Sequence, residues 1–133
     1  MTSDARDDRA GLGARTWVIA DGCVPPGSTG DDPALQSHES FCVLNAGDED
    51  AQIIVLVYFA DREPAGPYRL VAPARRAFHQ QVNRLDDPES VPPGVDYCLV
   101  IRSDRPIVVQ HTRLDSRQAA NALMTTIAFP VTP

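Results

Sequence analysis

The chain has 133 residues, 43% of them hydrophobic and 23% charged, with a formal net charge of −6. These values describe one soluble globular domain, long enough to bury a core without a metal or a disulfide. They argue against a general nucleic-acid binder, which needs a basic stripe for phosphates, and no apolar run approaches the ~20 residues that cross a bilayer.

Residues 1–14 are polar and charged and carry no apolar core of a secretory signal, so they read as a disordered arm of a cytoplasmic protein. Residues 15–20 form a first strand around Thr16, Trp17, Val18 and Ile19, followed by a Pro/Gly/Asp loop over 21–33. A second strand over 39–46 is closed by the acidic turn Gly47-Asp48-Glu49-Asp50. The third strand, 52–60, is apolar on both faces: Ile53, Val55, Val57 and Phe59 on one, Ile54, Leu56 and Tyr58 on the other. One face of an antiparallel sandwich ordinarily meets water, so a covered outer face predicts a homo-oligomer, with a folded-over loop as the plainer explanation.

Runs 68–72 and 77–82 follow, then a Pro-rich loop over 86–96. Runs 97–103 and 107–114 are expected to face each other across a hairpin at Asp104-Arg105-Pro106, and 122–129 closes the fold. Only 116–123 has the makings of a helical turn. Prolines in the connections and none inside the runs suit an all-β protein. About eight short strands predict a single-domain antiparallel β-sandwich of jelly-roll type over 15–129, with a tail over 130–133.

The three cysteines include no CxxC pair, which argues against a disulfide framework or a zinc site. Cys42 and Cys98 read as small buried hydrophobes, Cys23 as near a loop. All 12 basic residues are Arg; forked guanidiniums suit carboxylate, phosphate or sugar recognition, although a coding bias explains the usage as well.

The segment from Ile107 to Gln118 concentrates the chemistry. Strand alternation puts Ile107, Val109, His111, Arg113 and Asp115 on one face. Such a strand leaves a core and enters a polar pocket, where imidazole, guanidinium and carboxylate could grip a small polar or anionic ligand; an ion-paired sheet rim is the blander reading. A Ser116/His111/Asp115 triad can be written, but no GxSxG elbow accompanies it. His38, His79 and His111 lack metal-ligand spacing, and Gly11-Leu12-Gly13 precedes a strand without a Walker-type Lys. Neither a cofactor nor a metal is expected.

Several segments together resemble the sensory rhodopsin transducer family. They are Trp17-Val18-Ile19-Ala20-Asp21-Gly22, Ser37-His38-Glu39, Leu44-Asn45-Ala46-Gly47-Asp48-Glu49-Asp50-Ala51, Gly66-Pro67-Tyr68-Arg69-Leu70, Pro73-Ala74-Arg75-Arg76 and the block from 107 to 118. The resemblance implies a cytoplasmic β-sandwich that assembles as a tetramer and relays a signal from a membrane sensory rhodopsin, with DNA as one suggested target and sugar-like ligands as another. Carried over by position, it implies a ligand-binding set of Trp17, His38, Glu39, Asn45, Arg69, His111, Arg113 and Asp115. Asp21 stands where the family prototype has Glu, and neither the arm nor the tail matches. The function implied is a non-enzymatic transducer. The alternatives are a stand-alone carbohydrate or small-molecule module, or a hydrolase using His111 and Asp115.

Overall fold

One strand organises the molecule. The computed structural model describes residues 11–132, so residues 1–10 of the expected arm lie outside the described residues. The strands are β1 (Ala14–Cys23), β2 (His38–Asn45), β3 (Ala51–Phe59), β4 (Ala65–Ala72), β5 (Arg76–Gln81), β6 (Asp96–Asp115), β7 (Ala122–Ile127) and β8 (Phe129–Val131). Two 3-10 turns, Pro33–Leu35 and Val82–Arg84, complete the regular structure. The 20-residue β6 belongs to both layers. Its first half pairs with β1 and β3, giving the order β4-β3-β6-β1-β8; its second half pairs with β2 and β7, with β5 beyond β2. All pairings are antiparallel, and the fold is the all-β sandwich expected.

The expected hairpin at Asp104-Arg105-Pro106 does not exist: runs 97–103 and 107–114 are one continuous strand. The ladder to β3 stops at Ser103 and the ladder to β2 starts at Val108. Pro106 therefore sits at the crossing between layers, where its missing N–H forfeits no ladder bond. Prolines do occur inside strands, beyond the runs where the sequence places them, at the change of layer or on an edge strand. Pro67 lies in edge strand β4 at a register shift, and Pro130 in the short edge strand β8.

Residues 122–129 were expected as one strand, but the chain changes layer there too: β7 pairs with β6, and β8 with β1. Ala128, buried at the change, donates its N–H to the Val109 carbonyl at 3.0 Å. Residues 116–121 form no helical turn. Burial of the alternating positions Ile53, Val55 and Val57 on β3, Leu99 and Ile101 on β6, and Phe41 and Val43 on β2 fills the space between layers. Large apolar side chains of this kind contribute roughly 1.5–3 kcal/mol each when buried. Trp17 belongs to this core; its Nε1–H is shared by the Ala14 and Ile107 carbonyls, each at 3.0 Å.

The opposite face of β3 has no cover among the described residues: Ile54 is 37% exposed and Tyr58 41%. Cys42 and Cys98 are half-buried, not core; Cys23 ends β1, and all three are free thiols.

Candidate functional site

β2 alternates strictly over its inner positions, so Glu39, Phe41, Val43 and Asn45 all point between the layers. A carboxylate thus stands at one end of an otherwise apolar row. In the ladder to β6, Glu39 lies opposite Arg113, and Phe41 opposite His111. Residues opposite or diagonal on one face are within side-chain reach, and both cations meet Glu39. His111 Nε2 lies 2.5 Å from Glu39 Oε2, and Arg113 Nε donates to the same oxygen at 3.1 Å. From the other layer, the Tyr97 hydroxyl donates to Oε1 at 2.7 Å, and the Cys23 backbone N–H donates to Oε1 as well. Glu39 is fully buried and His111 is 3% exposed.

Electrostatics follow from that geometry. Burial by itself pushes the Glu39 carboxyl up, but the hydrogen bonds from His111, Tyr97 and Cys23 outweigh it and hold the carboxyl below its ordinary value. Burial and the Glu39 charge together drive the Tyr97 phenol far above its ordinary value. Burial opposes the Arg113 charge, yet Glu39 wins and its guanidinium is held more tightly protonated. The cluster is therefore a carboxylate whose acceptor sites are spent on its own neighbours. Arg113 is tied down as well: beyond Glu39, its Nη2 donates to the Asp21 carbonyl at 3.3 Å.

Of the residues singled out from sequence, the structure brings together Glu39, His111 and Arg113 and places the others elsewhere. The carboxylate that meets His111 and Arg113 is Glu39, not Asp115. Inward burial on β6 changes phase after His111, with Leu114 and Ser116 the next buried positions. Asp115 instead takes a two-point grip from Arg117, Nε at 2.9 Å and Nη2 at 2.6 Å, which holds its carboxyl down at about 2. His38 Nδ1 lies 2.8 Å from the Gln36 carbonyl. Asn45 ties a turn together, donating to the Glu49 and Ala72 carbonyls and accepting from Gly47 N–H. Arg69 is exposed on β4 and lines a polar cleft of ≈ 410 Å³ with Arg84, Asp86 and Asp87. Ser116 is buried against Ser37, with 3.2 Å between hydroxyls, and is not bonded to His111.

Two residues of the cluster escaped the sequence reading. Tyr97 looked like the apolar start of a strand, and its partner Gly22 like part of a loop. Gly22 faces Tyr97 in the β1–β6 ladder, and a Cβ on it would lie 2.3 Å from Tyr97 Cε2. The ring rests on bare backbone, which aims its hydroxyl at Glu39. A readable signal did exist: Glu39 sits two and four residues before Phe41 and Val43, so a strand that buries those buries a carboxylate.

Beside the cluster opens an apolar cleft of ≈ 590 Å³ between the end of β1 and β7, lined by Ile19, Met124, Ile127, Phe129 and His111 among others. It exists because β8 pairs with β1 only from Thr16 to Val18, leaving the edge of β1 beyond Val18 without a strand partner among the described residues.

Fold and site together define an antiparallel β-sandwich with a buried, carboxylate-centred cluster at the mouth of an apolar cleft. The chain belongs to the Anabaena sensory rhodopsin transducer family, whose family model matches residues 12–130. Among solved structures it is similar to the Anabaena sensory rhodopsin transducer, with 54% identity, covering 81% of this chain and 94% of that one at a TM-score of 0.71. It is also similar to Thermotoga maritima 1070, with 34% identity, coverage of 90% and 96%, and a TM-score of 0.80. The chain matches no curated protein.

Proposed function

We propose that the protein is a non-enzymatic signal relay of the transducer type. In this reading it is a cytoplasmic homo-oligomer, a tetramer, that takes its signal from a membrane sensory rhodopsin and passes it on through protein contacts or a small polar ligand. The observation that carries the reading is the uncovered outer face of β3, where Ile54 and Tyr58 are exposed, with Arg69 and Arg102 flanking Ile54 and Val71 exposed on β4. Such a face is ordinarily covered by a partner. The acidic balance disfavours DNA as that partner. Nor does the cluster favour a hydrolase, because Ser116 is paired with Ser37 and His111 with Glu39.

The test is co-elution with a detergent-solubilised sensory rhodopsin, in darkness and under illumination. A complex weakened by Tyr58→Asp is the expected result; no complex in either condition overturns the relay reading.

A second reading, a stand-alone module for sugar-like or anionic ligands, is favoured by the cleft where Arg69 and Arg84 face Asp86 and Asp87. It predicts that a sugar phosphate raises the melting temperature and that Arg84→Ala removes the effect. No shift with sugars, sugar phosphates or carboxylates rejects it.

A further inference from the structure

We infer that the cleft between β1 and β7 binds a small molecule with an apolar body and a hydrogen-bond-donating head, an alcohol or phenol, whose head meets His111 Nδ1. The inference deepens the small-ligand part of the relay reading and rests on it.

The tautomer follows from the cluster. A carboxylate oxygen only accepts, so the short contact to Glu39 requires the hydrogen on His111 Nε2. With a single ring hydrogen, held at Nε2, the other ring nitrogen presents a lone pair. That nitrogen makes no hydrogen bond among the described residues, yet no buried polar side-chain atom is left without a partner. Without another partner among the described residues, this nitrogen is the ring atom we assign to the cleft that His111 lines. An acceptor on a side chain 97% buried, facing an apolar space, selects a donor over an anion. The Asp21 carboxylate at the rim, 3.8 Å from Arg113 Nη2, disfavours anions further.

The walls set the body of the ligand. Ile19, Met124, Ile127 and Phe129 offer apolar surface, and Phe129 is 69% exposed. The volume falls within the range of drug-sized sites. Thr126 is the one further side-chain hydroxyl on the wall.

The experiment compares 2-naphthol, 2-methoxynaphthalene and 2-naphthoate on the full chain by titration, with the imidazole ¹⁵N resonances of His111 as a local readout. Expected is binding of 2-naphthol roughly tenfold tighter than that of the methyl ether, about the upper limit for one neutral hydrogen bond. The Nδ1 resonance should move with the phenol and stay in place with the ether. Met124→Trp, at an exposed edge-strand position, should fill the cleft and abolish binding while the His111–Glu39 contact persists. Equal affinities, a preference for 2-naphthoate, or unaltered binding in the Met124→Trp protein each overturns the inference. Failure of all three probes does so too, and assigns the cleft to a second copy or a protein partner. If the rhodopsin complex forms while the probes fail, only the ligand inference falls; if both fail, the relay reading falls with it.

Discussion

Gly22 and Tyr97 occupy one another's space: the aromatic ring fills the volume where a side chain at Gly22 would begin, 2.3 Å from Cε2. The backbone of β1 is thus the seat that fixes the phenol over Glu39. Gly22→Ala must displace either the strand or the ring. A destabilisation of about 1–3 kcal/mol is expected, as for other overpacked interiors. Urea denaturation of Gly22→Ala, Tyr97→Leu and the double variant checks it. Strong sub-additivity is the expected outcome, because both changes break the same contact; simple additivity would separate Gly22 from the cluster.

Tyr97→Phe removes a hydroxyl that donates to a buried carboxylate at 2.7 Å. Hydrogen bonds to charged groups contribute roughly 1.5–3 kcal/mol, so a loss of that size at neutral pH is expected. Folding raises the Tyr97 phenol above its unfolded value. The stability it confers is therefore complete below about pH 10 and lost as pH rises further. Denaturation midpoints between pH 8 and 11 should fall for the natural chain more steeply than for Tyr97→Phe.

Glu39 has the opposite sign. Its carboxyl is held below the unfolded value, so its contribution is present above about pH 4.3 and disappears as pH falls through the lower folded value. Glu39→Ala strands His111 and Arg113 without their acceptor and should cost about 3–5 kcal/mol, as when one partner of a buried ion pair is removed. Glu39→Gln should fold better and flatten the acid limb. Asp115, depressed by Arg117, contributes to the same limb from the surface. Asp115→Asn should therefore alter the acid limb while leaving the His111 ring resonances in place.

Tyr58→Asp and Ile54→Asp put charges on the uncovered face of β3. If that face joins protomers, light scattering should show a smaller assembly with an unchanged far-ultraviolet dichroism spectrum. An unchanged mass assigns the face to another partner.

Much of this architecture is written in local patterns. Alternation in β3 and β2 and the turn at Gly47 place those strands within a residue or two of where they lie. The Asp104-Arg105-Pro106 segment misleads because turn residues report a break in pairing, not a reversal of direction; a strand changing layers satisfies the same composition. The same holds for Ala128, where one expected strand divides between layers. At the site, alternation on β6 correctly joins His111 to Arg113. Extending it to Asp115 fails because Arg117, two residues on, competes for that carboxylate at no cost in chain closure. The partners Glu39 and Tyr97 stand 72 and 14 residues from His111, and strand register, which decides such meetings, is a tertiary property.

Two independent sheets can slide across each other, layer over layer, and adjust their packing as they go. Here both layers are hung on the same backbone, because β6 runs from one into the other through residues 104–106. The outer side of the first layer near Val100 is thereby joined covalently to His111 and Arg113, eleven and thirteen positions along the same strand.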